Sequence, residues 1–544
     1  MAEARVKCWA PIVIGLAVLG VYLGHVVAYW PQINDDAFIT FRYSKFLTLG
    51  RGPYFNIGEH VEGYSNFLLM LLMAGAIALF GDNEVLLVAK LIGVGSGLVA
   101  IVATWALCGR WLRKVETLAP FADLLAWAGA ALVATNCAYA FNSTTGLETT
   151  LFSALIMLGL WLLQKASDEQ RYRFAGIAFA LAALTRPEGG MIFVAALVGR
   201  LAAAAWRTKA GRRALVLDAL TVGAVVLGHL VLRYALYDGE LLPNTFYAKR
   251  GGFAWRVTAA EYVLRFGVVL MGAVVPILAL FPLLARSRYV RRSTLPAMLV
   301  VWASVAVIFV AGAGWMPGYR LLVPYVPAWS ALAICGIAAV ADRLRSWALP
   351  GAVSASLLLV GALFFWQESE RAEYYDYGRV RAAGYLAGHA ALADWLNKQA
   401  QPGATVALMD IGIVGFKCID LNILDITGLT DRYIAKSPGG LHTKEFDPAY
   451  VFNQKPEFLV MVVRGPPGPL ENMDTGQLRP WTEVERRLWK TDAFRGHYFD
   501  PRPVEPNAPA LKRIAALLGA RRGFEHYYPN EKYVLLAYAY HGRQ

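Results

Sequence analysis

The sequence predicts a polytopic α-helical membrane protein of about eleven transmembrane helices, carrying a C-terminal extracytoplasmic α/β domain. Three observations predict it. The 544 residues are 57% hydrophobic with a mean hydropathy of +0.43, far above a soluble chain. Apolar runs recur as far as residue 366. Beyond that point the sequence turns amphipathic and then breaks into short strand-like runs.

The candidate spans are 11–30, 85–108, 121–140, 148–164, 172–185, 190–206, 214–236, 258–284, 293–313, 321–341 and 348–366. A span takes roughly 20 apolar residues. The first run follows Arg5 and Lys7, which also fits a signal peptide. The many later runs favour an uncleaved first helix. Segment 65–80 is ambiguous, and parity decides it. If 172–185 crosses and 65–80 does not, the clusters Arg110–Lys114, Lys165–Arg173, Arg207–Arg213, Arg286–Arg292 and Arg343–Arg345 all fall inside, with the N-terminus. The alternative exposes the first two clusters, against the positive-inside rule. Segment 65–80 then lies at the outer interface, and 172–185 is a short span.

The net charge of +13 is therefore read as topology, not as nucleic-acid binding; no basic-aromatic motif is present. The five cysteines form no CxxC pair and the eight histidines no HxxxH spacing, so neither a disulfide framework nor a histidine metal centre is expected. GVGSG at 93–97 is read as small-residue helix packing.

The predicted outer loops are the polar ones: 31–64, 141–148, 186–189, 237–252 and 314–320. Residues 1–366 form the transmembrane part and 367–544 the tail. The tail offers strand-like runs at 404–410, 421–428, 457–463 and 532–540. Its loop acids Asp420, Asp425 and Asp431 are either a surface site or turn formers.

Chemistry is expected on the outer face. Asp35 and Asp36 sit just past the first span, where charge near a bilayer is costly. Adjacent carboxylates can take a proton from a hydroxyl, bind sugar hydroxyls, or hold a divalent metal between them. Neighbouring side chains diverge, so one acid acts chemically while the other orients. Arg42, Arg186, Lys249, Arg250 and Arg320 are outer cations. Each can be an interfacial anchor. Together they call for an anion, and a lipid phosphate suits arginine. Glu62, Glu148 and Glu188 are further acids; Glu148 can simply start a helix and Glu188 can pair with Arg186. Tyr43, Tyr64, Phe246, Tyr247, Trp315 and Tyr319 can stack on sugar rings or form an aromatic belt. The chemistry that fits is glycosyl transfer from a lipid phosphate, through an oxocarbenium-like transition state.

DDAFITFRY, VEGYSNF, TGLET, RPEG, NTFYAK, WMPGYRLLVP and GLTDR, in that order from about residue 30 to 435, resemble the GT-C superfamily of polyprenyl-phosphate-sugar glycosyltransferases. More narrowly they resemble the mycobacterial terminal arabinofuranosyltransferase (AftB-like) group. Residues 440–544 add no match. The resemblance implies a decaprenyl-phosphate-arabinofuranose donor, an envelope glycan acceptor and a bacterial inner-membrane location. It places Asp35 or Asp36 at the essential acidic motif. Arg186, Lys249 and Arg320 match the family's loop motifs by position only; on the chemistry of their side chains, Arg42, Arg186, Lys249 and Arg320 are the expected donor-phosphate set. Glu62, Tyr64, Glu148, Glu188, Asn244, Tyr247, Trp315 and Tyr319 become the sugar or acceptor set. No cofactor is implied beyond a divalent metal at Asp35 and Asp36. The alternatives are a GT-C enzyme acting on protein or lipid A, and a lipid-linked sugar transporter or flippase. The latter calls for mid-membrane charges and paired half-repeats, which the sequence lacks.

Overall fold

The computed structural model describes residues 2–250, 258–314, 316–465, 478–503, 508–528 and 531–542. The chain packs as two compact units.

The first unit comprises 1–30, 89–231 and 257–375 and is helical. Among the described residues of the chain, six helices are long and apolar enough to cross a membrane, or up to eight if each of two bent pairs is one span. The bends lie between Ala119–Ala134 and Cys137–Ser143 (67°) and between Ala259–Leu270 and Val274–Leu284 (92°). The apolar stretch Val323–Trp366 contains helices Val326–Ala341 and Ala348–Trp366, broken at Arg345 with φ 55°. Small residues set the helix spacing where the sequence predicts it. A methyl group on Gly97 would stand 1.9 Å from the Tyr22 hydroxyl.

Two polar clusters mark opposite ends of helix Thr149–Glu169. At one end the basic loops converge. Arg110 meets Asp168 at 3.1 Å, Lys114 lies over the Tyr289 ring, Thr117 bonds Asp342, and Arg343 bonds the Leu284 carbonyl. At the other end are Glu148, Arg186 and Arg320. Helix Ala175–Thr185 has 11 residues, about 16 Å at 1.5 Å per residue. It is one of the shorter apolar helices, and Phe174 before it is left-handed, with φ 57°.

The second unit comprises 31–88, 232–256 and 376–544. Its centre is a mixed sheet. Strand β1 (Thr405–Leu408) pairs in parallel with β2 (Asn422–Asp425) and with β3 (Phe458–Gly465). The edge beyond β3 is antiparallel: β3 with β6 (Glu531–Ala539) and β6 with β5 (Arg522–Tyr528). The two-residue β4 (Arg479–Pro480) also pairs with β3. The four strand-like runs of the tail thus become β1, β2, β3 and β6. Helices Asp35–Thr48 and Phe67–Phe80 belong to this unit. Ile39, Tyr43, Phe55, Tyr64 and Met70 join the core that holds the sheet.

Candidate functional site

Helix Asp35–Thr48 begins with Asn34 as its N-cap, whose side chain accepts from the Asp36 N–H at 3.1 Å. Both acids stand in the first turn, where the helix dipole favours negative charge. They are placed differently. Asp35 is 6% exposed and its carboxylate accepts from the Gly412 N–H at 2.9 Å and the Ile413 N–H at 2.7 Å. Those are among the first N–H groups of helix Ile411–Lys417, which have no partner inside that helix. Glycine is required at 412: an added Cβ would stand 1.9 Å from the Asp35 carbonyl oxygen. Asp36 is half-buried.

Burial pushes the Asp35 carboxyl up to about 6; the His389 charge and the Ile413 N–H pull the other way, while Asp410 and Asp36 add to the rise. This neighbourhood is a group the sequence does not reveal. His389 Nε2 lies 3.0 Å from Asp410 Oδ2, and the Tyr533 hydroxyl donates to the same oxygen. His389 occupies a π-helical turn, Leu386–Ala390, a feature frequent at functional sites. The three residues are too far apart in sequence for any local motif to link them. Each Asp35 oxygen accepts one N–H and keeps a second lone pair. Among the described residues no group of three or more His, Cys, Asp or Glu side chains converges as a metal site would.

Arg42 is turned inward, and its expected phosphate role is corrected. The side chain is fully buried between the Phe46 and Phe55 rings. All five N–H donors have oxygen acceptors. Nε bonds the Phe55 carbonyl at 2.6 Å. Nη1 bonds the Gly415 and Cys418 carbonyls. Nη2 bonds the Leu421 carbonyl at 2.9 Å and Asn56 at 3.4 Å. No donor remains for a lipid phosphate.

Other expected sugar-binding residues of this unit are also tied up by protein. Glu62 forms a buried two-pronged pair with Arg233, at 2.5 and 3.2 Å. Burial raises its carboxyl above the usual range, and Arg233 opposes the rise. The Tyr64 hydroxyl meets that of Tyr237 at 3.0 Å. Tyr43 bonds the Val61 carbonyl at 2.7 Å. Asn244 donates to the Gly428 and Leu429 carbonyls at 2.8 and 3.0 Å, so NTFYAK docks on GLTDR. Tyr247 is half-buried and its hydroxyl donates to Glu240 at 3.3 Å. Lys249 and Arg250 are exposed. Asp425 and Asp431 are turn formers. Asp425 accepts from the Thr427 and Thr430 N–H groups, and Asp431 caps helix Arg432–Lys436.

In the first unit the structure brings together four expected residues. Glu148 Oε1 lies 2.6 Å from Arg320 Nη2 and 3.6 Å from Arg186 Nε. Arg186 Nε also meets Glu188 at 3.0 Å, and its Nη1 donates to the Arg320 carbonyl at 3.2 Å. Glu148 does start a helix, at Thr149. Burial lowers the Arg186 proton affinity, but Glu188 and Glu148 more than restore it, and the net shift is upward. Tyr319 packs on Tyr262, with ring centres 5.4 Å apart, and Asn142 bonds the Gly318 carbonyl at 2.8 Å. Trp315 lies outside the described residues.

Residues 374–505 match a domain of unknown function, DUF8728. Over 256 residues the chain is 29% identical to the terminal beta-(1->2)-arabinofuranosyltransferase of Mycobacterium tuberculosis. That match spans 45% of this chain and 38% of the relative. The fold is that of ArnT from Cupriavidus metallidurans, with TM-score 0.50, 15% identity, and coverage of 82% of this chain and 92% of that one. It is also that of the Archaeoglobus fulgidus oligosaccharyltransferase AglB, solved with an inhibitory peptide and a dolichol-phosphate. There the TM-score is 0.53, the identity 13%, and the coverage 93% and 75%. In fold, and in sequence over part of its length, the chain is similar to the GT-C glycosyltransferases.

Proposed function

We propose that this chain is a GT-C type membrane glycosyltransferase that moves a sugar from a polyprenyl-phosphate donor to a cell-envelope glycan on the extracytoplasmic face. The observation that carries this reading is the unequal placing of two adjacent acids: Asp35 accepts from two backbone N–H groups, and Asp36 stands half-buried on the same helical turn. Asp36 is the general base. It takes the proton of an acceptor hydroxyl, whose oxygen bonds to the anomeric carbon of the donor. The bond from that carbon to the lipid-phosphate oxygen breaks, and the phosphate leaves with the electron pair. Asp35 is a positioning residue. Arg186 and Arg320 are the cations proposed for the phosphate, with Glu148 and Glu188 holding them.

Arabinofuranose is the first donor to test, because it is the sugar in the name of the sequence relative. The relative is matched over less than two thirds of its length, so donor and acceptor are both part of the proposal. So are the eleven-span topology, the 366/367 domain boundary and the inner-membrane location. The convergence of the basic loops at one end of helix Thr149–Glu169 supports that topology.

The test is transfer by the purified protein from a panel of radiolabelled polyprenyl-phosphate sugars, arabinofuranose included. Transfer from one donor, lost in folded Asp36→Asn, supports the reading. Absence of transfer from every donor rejects it and returns the transporter reading; full activity in Asp36→Asn rejects Asp36 as the base.

A further inference from the structure

The basic end of the first unit holds a cavity of about 400 Å³. It is lined by residues of helices Val85–Leu112, Thr149–Glu169 and Leu295–Ala311, each inside a stretch apolar enough to span a membrane. Its walls are of two kinds. Leu107, Leu160 and Leu163 are apolar, and Arg200, Arg288 and Arg292 are cationic.

The arginines are unusual in lacking acids. Neighbouring Arg110 has Asp168 at 3.1 Å and Glu169 at 3.7 Å. Arg292 instead feels the like charges of Arg288, Arg207 and Arg291. No acid among the described residues pairs with those four within 4.0 Å. Arg200 is only 3% exposed. It gives one N–H to the Leu163 carbonyl at 2.7 Å, its Nε has no partner, and Asp218 acts on it without forming an ion pair. Like charges gathered around an apolar hollow raise the free energy of the empty site. An anion with an apolar tail relieves both costs.

We propose that this cavity binds an anionic phospholipid of the bilayer, its phosphate on Arg288, Arg292 and Arg200 and an acyl chain along Leu107, Leu160 and Leu163. Charge complementarity selects the phosphate. The membrane-spanning helices that line the cavity select a lipid over a soluble anion. The site does not depend on the proposed glycosyl transfer.

The experiment is native mass spectrometry of the full-length protein in detergent, titrated separately with dioleoyl phosphatidylglycerol, dioleoyl phosphatidylcholine and glycerol 3-phosphate. The variants are Arg288→Gln with Arg292→Gln; a control, Arg113→Gln with Arg173→Gln, from adjoining loops; and Ala203→Leu, which fills the cavity with its charges intact. Phosphatidylglycerol is expected to bind in preference to phosphatidylcholine. Its binding is expected to weaken about thirtyfold when the two site arginines are neutralised, the order expected for two basic groups at an anionic lipid. It should also weaken in Ala203→Leu and hold in the control. Equal binding of both lipids, no loss in the site variants, or an equal loss in the control would overturn the proposal. Glycerol 3-phosphate binding as tightly as phosphatidylglycerol would make the site one for a soluble anion and overturn it too.

Discussion

Asp35 and Arg42 grip opposite ends of one short helix. They stand seven residues apart on helix Asp35–Thr48, two turns and about 10.5 Å along its axis. Helix Ile411–Lys417 is also seven residues long. Asp35 accepts its first N–H groups, and Arg42 donates to carbonyls at and beyond its end. Opposite charges thus meet opposite ends of a helix dipole, and the first loop of the chain is fixed to the sheet-bearing segment.

This geometry separates the two acids experimentally. Asp36→Asn removes the proposed base and is expected to cut transfer about 10²–10⁴-fold with little change in thermal midpoint. Asp35→Asn sets an NH₂ group or a weakened acceptor against two buried N–H groups, at a cost of about 1–3 kcal/mol. Activity measured together with thermal unfolding checks both. A stable, inactive Asp35→Asn beside an active Asp36→Asn would reverse the roles.

Arg42→Lys keeps the charge but has three donors for five acceptors. Carbonyls at the end of helix Ile411–Lys417 lose their partners, and the expected loss is about 3 kcal/mol or more. Hydrogen exchange over 411–421 should speed up well before other parts of the sheet-bearing segment respond. Unchanged protection there would show that the clamp is dispensable.

Much of this arrangement is written in the sequence, and some of it cannot be. Apolar periodicity marks the long helices, because a bilayer demands ~20 apolar residues whatever the contacts. It also marks β1, β2, β3 and β6, whose side chains are buried in short apolar runs. The different burial of Asp35 and Asp36 is not legible in two adjacent residues of one type. Arg42 misleads because a cation in a polar loop looks the same whether it faces solvent or caps a helix some 370 residues away. Arg233, the partner of Glu62, hides within an apolar run. His389, Asp410 and Tyr533 meet only through the sheet, so no spacing announces them.

Acidity gives a test of Asp35 burial. Its folded pKa of about 6 lies above the ordinary 3.8, so the folded state holds the proton more tightly than the unfolded chain. The stability this group contributes is therefore full below about pH 3.8 and lost as pH rises through 6. Asp425 is raised to about 6 in the same way, chiefly by burial. The difference in thermal midpoint between wild type and Asp35→Asn, measured from pH 4.5 to 7.5, should shrink for wild type as pH rises. A difference that grows with pH would mean that the two N–H bonds outweigh desolvation.

Glu62 and Arg233 form a buried two-pronged pair. Removing one partner strands a charge, and Glu62→Gln or Arg233→Met alone should cost about 3–5 kcal/mol. The double variant should cost clearly less than the sum. A double-mutant cycle by denaturant unfolding checks this; strict additivity would mean the pair contributes no coupling.

The Glu148 carboxylate is shared by Arg186 and Arg320, and Glu188 serves Arg186 as well. Two acids balance two cations, so the cluster is close to neutral before any donor arrives. Arg320 has the looser hold: its side chain is 21% exposed against 7% for Arg186. A phosphate that binds here would compete with Glu148 for Arg320. Arg320→Gln should then raise KM for a polyprenyl-phosphate sugar about tenfold or more, as loss of a charge-assisted bond does, with kcat less affected. Glu148→Gln should act in the opposite sense, freeing Arg320 and lowering KM while costing stability, since Arg186 loses one of its two acids. Initial rates against donor concentration, with unfolding followed in parallel, read both effects. If both variants leave KM unchanged, the cluster is a structural lock and the donor phosphate binds to other groups.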